Sequence, residues 1–581
     1  METIYNPSEN YHTYKEEFRK NAETLFDELT QRSGVNKAAN QKLCQAINVL
    51  NLKRNTQSSK QNTLAVWRFI LWVLGFGGLA LGFYFALNIH KLDDFGQQVL
   101  FSIGDADFNL INAGILLVSF IFLYIAFGPL TKNIQEMEKA IQKLDTEIKE
   151  KKDVAYQQMQ CLNQLFGDDI PLKLIEKTVP KLEFDPYCTR DRLSELRDDF
   201  GYVDNSDSYS SVVCAQSGQI NGNPFVFVRK KIFQWGNKTY EGHKTIYWTE
   251  YVKDSQGHSH AVTRSQTLTA TYTAPYPYFN SKTYVIYGNE AAPNLSFDRE
   301  ASDLATSDGI WAKMKYNSKV KELKEFSQDL TDDSDYTMMN NEKFEVYFET
   351  KNRDNEVEFR LLFTPLAQVQ MLELLKNKID GFGGDFAFRK RKKLNFIYPK
   401  HLQDTPLEIS ASTFCNYDYD QCKANFLTWN LEYFRAIYFA MAPLLCIPLY
   451  QQYRTRKTIY SSSKRQSNQW EWEMLSNRLG KVFDHINCVT DHILKTRLVK
   501  DLDNGKAQVQ VTSHGFSGTN HTYYESVWGG DGRMHSVPVE WVEYREVTQN
   551  TNVTMCDKEG ETTYATDADK FMDKHHCWIE R

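Results

Sequence analysis

His485, Cys488 and His492 fall at i, i+3 and i+7, the spacing that would set three metal-capable side chains on one face of a helix. Asp484 and Asp491 each precede one of the two histidines, and Cys556 with His575-His576-Cys577 adds further donors near the end of the chain. Imidazole and thiolate ligands suit zinc, so this cluster is the candidate metal site, and a metal-dependent hydrolase is the chemistry it would serve. The plainer expectation is that these polar residues border an amphipathic face and need no cofactor. No HExxH, GxSxG or GxxxxGK[ST] occurs, and no spacing of Ser, His and Asp singles out a triad.

The sharpest charged feature is Arg389, Lys390, Arg391, Lys392 and Lys393, set between Phe386 and Phe388 on one side and Phe396 on the other. The pattern predicts a hairpin turn. Five adjacent cations there could attract anionic lipid headgroups at about 1 kcal/mol each, or simply stand in water. The net charge of the chain is −6, which argues against a general nucleic-acid binder. Its ten cysteines form no CxxC, so free thiols are expected.

These groups must be carried by something, and the chain is organised around two apolar runs. Residues 69–87 contain no charged side chain, nor do residues 110–130. A helix needs roughly 17–25 apolar residues to cross a bilayer, so both qualify. Lys53, Arg54, Lys60 and Arg68 precede the first run, and Lys132, Lys139 and Lys143 follow the second. The stretch between them holds Asp93, Asp94, Asp105 and Asp107 against one lysine, Lys91. Basic flanks stay in the cytoplasm, so the expectation is a multi-pass plasma (inner) membrane protein with both termini inside and a short acidic loop outside. Neither run carries a mid-membrane Asp, Glu, Lys or His, which favours an anchor over a carrier.

Residues 1–63 read as helices. Ile134, Met137, Ile141, Leu144 and Ile148 form a short heptad seam after the second run. The 37–53 helix is one partner for it, giving an antiparallel stalk; a homodimeric coiled coil is the other. From about residue 212 the period becomes alternating, with strands at 225–228, 245–251, 267–273 and 284–287 and a turn at Asp254–Gly257. Residues 342–363 read as a further hairpin turning near 353–355, and Thr364-Pro365 as the start of a helix. Phe386–Phe388 and Leu394–Ile397 follow as strands.

Residues 433–450 are apolar but interrupted by Arg435, Pro443 and Pro448, and read as a buried or membrane-skimming segment. Residues 470–497 read as one long amphipathic helix bearing the His/Cys cluster. Strands at 508–511, 522–528 and 537–547 close the chain around the turn 529–532. The segments beginning at Thr245 and Thr522 share the order aromatic strand, Asp/Gly turn, His-Ser, strand, as a duplication or as two ordinary hairpins would.

The run Phe344–Tyr347, the acidic segment through Glu356 and Glu358, Thr364-Pro365 with its leucine helix, Phe386–Phe388 and Leu394–Pro399 together resemble the bacterial domain of unknown function 3137 family. The Gly218–Asn221 turn with its aromatic strands is similar too, and the resemblance spans roughly residues 110–400. It implies paired spans ahead of a cytoplasmic α+β domain and an association with LemA-type membrane proteins. It brings no catalytic residues.

The expected fold class is an α+β membrane protein. Its N-terminal helices (1–63), two-helix transmembrane hairpin (64–130) and helical stalk (131–170) precede an antiparallel-sheet-rich α+β domain (171–400). An apolar connector (401–465) and a helix with a second β-rich region (466–581) complete it. The expected function is a membrane-anchored cytoplasmic interaction or ligand-binding module acting through strands rich in Tyr, Trp and Thr. Its partners would be the bilayer, a protein and a second copy of the chain, with no nucleic acid. The alternatives are the zinc hydrolase and an oligomerising membrane effector.

Overall fold

The computed structural model describes residues 6–87, 105–186, 188, 190–204, 209–253, 259–328, 336–454, 468–502, 506–557 and 577–580. The 88–104 stretch, the Asp254–Gly257 turn and His575-His576 lie outside these. The chain forms two compact units: residues 24–167 with 411–427, and residues 1–23, 168–410 and 428–581.

The smaller unit is helical. Helix Lys37–Leu87 runs unbroken for 51 residues, merging the expected N-terminal helix with the first apolar run. Opposite it, Asp105–Ile125 continues into Thr131–Asn163 through a π-helical turn at Ala126–Leu130. Pro129 has no N–H to give that turn, and the Thr131 hydroxyl satisfies the Ala126 carbonyl at 2.7 Å. The two helical runs pack in opposite directions. Asn40 meets Gln158 at 3.4 Å, Arg54 meets Asp145 at 3.0 Å, and Gly75 and Gly82 face Leu123 and Leu116. Ile47, Ile148 and Ala155 make a core with Leu43 and Leu50, so Ile148, the last residue of the expected heptad seam, packs against the 37–53 segment. Small residues set the close approach: a Cβ on Gly78 would strike the Ser119 side chain, and one on Gly82 the Leu116 side chain.

Two helices, Lys37–Phe83 and Asn112–Asn163, are long and apolar enough to cross a membrane. Their most apolar windows are only 6% and 11% buried, unlike the core helices of a soluble protein. Phe69, Phe76, Phe83, Leu117 and Phe120 are all exposed.

The larger unit is mixed α+β and antiparallel. One sheet has seven strands, β1 (Leu182–Phe184), β2 (Ser210–Ile220), β3 (Asn223–Lys253), β4 (Ser259–Gly288), β5 (Ser296–Arg299), β6 (Phe386–Arg391) and β7 (Leu394–Pro399), in the order β1-β2-β3-β4-β7-β6-β5. The other has four, β8 (Ile493–Asp501), β9 (Lys506–Trp528), β10 (Met534–Asp557) and β11 (Cys577–Glu580), in the order β11-β10-β9-β8. Helix Gln469–Leu479 serves both cores. Its Trp470 and Met474 pack with Val212, Val226 and Ile286, while Trp472 and Leu475 pack with Leu494, Val509 and Val511.

Residues 342–363 depart from the expected hairpin. They form two short helices, Glu342–Phe348 and Glu356–Leu362. Asn341 and Asn355 cap them, accepting from the backbone N–H of Phe344 and Glu358. Arg353, wholly buried, joins them by donating to Glu345 at 3.0 and 3.1 Å and to Glu356 at 2.6 and 2.9 Å. Cap chemistry and a buried ion pair thus override an alternating pattern, and two segments that carried the family resemblance as strands are helical. Thr364-Pro365 does start a helix, Pro365–Lys376, with the Thr364 hydroxyl accepting from Ala367 N–H.

Residues 433–450 are buried rather than skimming. Phe434 stacks on Phe18 at 4.5 Å, Phe439 lies 4.7 Å from Tyr11, and Arg435 donates to the carbonyls of Asp380 and Gly381.

Candidate functional site

The helix expected over 470–497 ends at Leu479. Asn468 and Glu471 make a capping box at its start, and Gly480, at φ +57°, stops it. Residues 484–492 are not helical, so His485, Cys488 and His492 share no helix face. His492 is buried with its Nδ1 2.8 Å from Asp484 Oδ1, and Ser513 donates to that same oxygen at 2.9 Å. His485 accepts from Asn487 N–H, and the Cys488 thiol points to the Thr490 carbonyl. Among the described residues, no three His, Cys, Asp or Glu side chains are grouped to hold a metal. These contacts read as a local hydrogen-bonded turn leading into β8.

The five basic residues do lie in a hairpin, β6–β7, but in unequal roles. Lys390 is completely buried, donating to the carbonyls of Ala291 at 3.1 Å and Lys392 at 2.5 Å. Burial, against the weak pull of Glu358 and Asp354, lowers its pKa to about 7. Arg391 grips Asp298 with bonds of 2.7 and 2.8 Å, and Arg389 reaches Glu300 at 3.1 Å. Lys393 donates to the Asp199 carbonyl at 3.4 Å. Lys392 sits at the exposed turn with φ +56°. Lys390 alone is buried, while Arg389 and Arg391 pair with carboxylates at the surface.

A cleft of about 590 Å³ opens beside the C-terminal end of helix Gln469–Leu479, lined by Asp168, Val213, Glu408, Ile409, Ser410, Asn477, Arg478 and Leu479. Arg478 and Glu408 pair across it at 2.8 Å.

The most unusual geometry belongs to the long strands. β3 and β4 stay in register from Phe225↔Tyr287 to Lys253↔Ser259, far beyond the Ser210↔Ile232 limit of β2. β9 and β10 stay in register from Lys506↔Cys556 to Trp528↔Met534. Each pair is therefore a two-stranded ribbon that outruns its sheet, and an isolated ribbon is marginal in water. Here the two cover each other. Ile246, Leu268 and Ala270 pack on Val537 and Val539. Tyr272 lies 4.7 Å from Tyr523 and 5.0 Å from Trp541, and Phe233 lies 4.9 Å from Phe516. A Cβ on Gly242 would run into the Pro538 carbonyl. The Gly529–Gly532 turn rests on the first ribbon, where Gly530 N–H donates to Gln266 at 2.6 Å.

On the first ribbon the residues that meet the second are buried, while the opposite face and the whole tip, 249–253 and 259–267, are exposed. Gly242, Ile246, Leu268 and Ala270 are buried, while Thr245, Tyr247, Thr249, Tyr251, Thr263, Ser265, Thr267, Thr269, Thr271 and Thr273 are exposed. The sequence signalled both strand ends and the aromatic content, but not that each pair of strands is one continuous ribbon.

No family model matches the chain, and searches of curated proteins and of solved structures return no match either.

Proposed function

We propose that this chain is a membrane-anchored interaction module, held by a two-helix hairpin and presenting its paired β-ribbons as the binding part. The observation that carries the anchor is the exposure of the two long apolar helices, of whose most apolar windows only 6% and 11% is buried. The Lys and Arg residues that flank both spans support a topology with both long arms in the cytoplasm. The ribbons support binding because they extend a rigid, two-layered surface away from their own sheets. The zinc-hydrolase alternative has lost the single helix face that motivated it.

Alkaline extraction of membranes from cells making the full chain tests the anchor. Retention in the washed membrane pellet, released only by detergent, is expected. Release by alkali alone would overturn it.

A further inference from the structure

The paired apolar helices are bordered, on the side assigned to the cytoplasm, by cations that have no partner in the chain. Arg68 is the last charged residue before the first apolar run, and Lys132 is the first after the second. Gly75 faces Leu123 and Arg54 bonds to Asp145, a register that brings Arg68 and Lys132 to about the same level of the helix pair. The Arg68 guanidinium lies over the Trp72 ring at 5.1 Å, and that ring lies 5.3 Å from Phe127 in the π-helical turn opposite. This stack holds the guanidinium at the edge of the apolar run.

What the guanidinium lacks is an acceptor. Among the described residues, no carboxylate, carbonyl or hydroxyl accepts a hydrogen bond from Arg68 or Lys132. The buried Trp72 indole N–H makes none either. The sequence explains why: helix Lys37–Leu87 has no Asp or Glu along its 51 residues. On the returning helix the first carboxylate past the second run is Glu136, beyond Lys132 and not paired with it. Arg68 is half-buried, so its N–H groups are neither fully hydrated nor bonded within the chain.

Depth and charge select the acceptor. Arg68 stands where the charge-free run begins, and Trp72 lies about 6 Å deeper at the usual helical rise. That is the level at which a bilayer passes from headgroups to acyl chains, and the acceptors there are lipid phosphates and ester carbonyls. The planar fork of a guanidinium matches a phosphate in both charge and geometry. A second copy of the chain could not supply the counter-charge from its spans, since neither apolar run holds an Asp or Glu. A zwitterionic headgroup brings its own ammonium, which two neighbouring cations disfavour. We propose that Arg68, held on Trp72 and supported by Lys132, binds the phosphate of an anionic phospholipid in the cytoplasmic leaflet. This rests on the reading of the two helices as a membrane anchor with its basic flanks inside.

The test is native mass spectrometry of the full chain in detergent, after incubation with dioleoyl phosphatidylglycerol, dioleoyl phosphatidylcholine or inorganic phosphate. Phosphatidylglycerol should be retained severalfold more than phosphatidylcholine at equal concentration, and inorganic phosphate should not be retained. Arg68→Gln should lower phosphatidylglycerol to the phosphatidylcholine level. Trp72→Leu, which removes the ring under the guanidinium, should lower it too. Lys53→Gln, about four turns away on the same helix, should bind like the parent, which separates the site from a general attraction of cations. Alkaline extraction checks that each variant still inserts; if Arg68→Gln washes off, Trp72→Leu decides. Equal retention of the two lipids, phosphatidylglycerol binding unaltered in the deciding variant, or retention of inorganic phosphate in place of lipid would overturn the proposal. A parent chain that stays in alkali-washed membranes without preferring phosphatidylglycerol refutes the lipid site and leaves the anchor. One released by alkali refutes the anchor, and the site with it.

Discussion

Gly242 of β3 lies so close to the Pro538 carbonyl of β10 that no side chain fits between them. The two ribbons touch backbone to backbone there, and the aromatic contacts on either side depend on that closeness. Replacing Gly242 with Val should push the ribbons apart at a cost typical of overpacking, about 1–3 kcal/mol. Trp248 and Trp541, both in the ribbon layers, would then become more exposed, read as a red shift and stronger quenching of tryptophan fluorescence. An unchanged spectrum would show that the ribbons are not packed at this point.

Arg353 and Glu345 form the most deeply buried ion pair joining the two short helices, with side chains 0% and 1% exposed. Removing Glu345 leaves Arg353 paired with Glu356 alone and takes away two charge-assisted hydrogen bonds in the core, each worth about 1.5–3 kcal/mol. Glu345→Ala should therefore lower the unfolding temperature sharply, whereas Val357→Ala, 79% exposed on the second of these helices, should change it little. Similar melts for the two variants would contradict the pairing.

Both helices show what the sequence could and could not yield. Phe344, Val346 and Phe348 alternate as a strand would, and the asparagine caps at 341 and 355 were the competing signal. In the same way Asn468-x-x-Glu471 and Gly480 marked both ends of a short helix, but apolar spacing through Val489 masked the stop. Val482, Ile486 and Val489 are in fact exposed, so the extended periodicity had no core behind it. The apolar runs, the seam around Ile148 and the Thr364-Pro365 helix start were legible because each is a local pattern with one physical solution. The face-to-face pairing of the ribbons was not, since it joins residues far apart in the chain, as with Ile246 and Val537, about which neither strand alone carries information.

Lys390 makes stability depend on pH in a defined direction. Its folded pKa is lowered to about 7 by burial, against an ordinary value of 10.5 in the unfolded chain. Between those values the unfolded state binds more protons, so stability should rise with pH, by up to about 1.4 kcal/mol per unit. Below pH 7 both states are protonated and the dependence vanishes. The unfolding temperature of the parent minus that of Lys390→Met should therefore increase from about pH 7 to pH 9.5. A flat difference would mean that the amine keeps its proton in the fold.

Gly82 faces Leu116 across the paired apolar helices, and Gly78 faces Ser119. Substituting both glycines with Leu should separate the helices without reducing their apolar character. Membrane retention should persist, while oxidative cross-linking between cysteines placed at 75 and 123 should fall severalfold relative to the glycine parent carrying the same pair. Equal cross-linking would show that the glycines do not set the contact.

The membrane topology is the centre of the account, and labelling of intact cells with an impermeant maleimide tests it most directly. The parent chain, whose exposed Cys161 lies in an arm assigned to the cytoplasm, should remain unlabelled. Asp94→Cys, in the acidic stretch between the spans, should label in intact cells, and Thr267→Cys, on the exposed ribbon face, should label only after lysis. Labelling of Thr267→Cys in intact cells, or protection of Asp94→Cys in them, would contradict the anchored, inward-facing module proposed above.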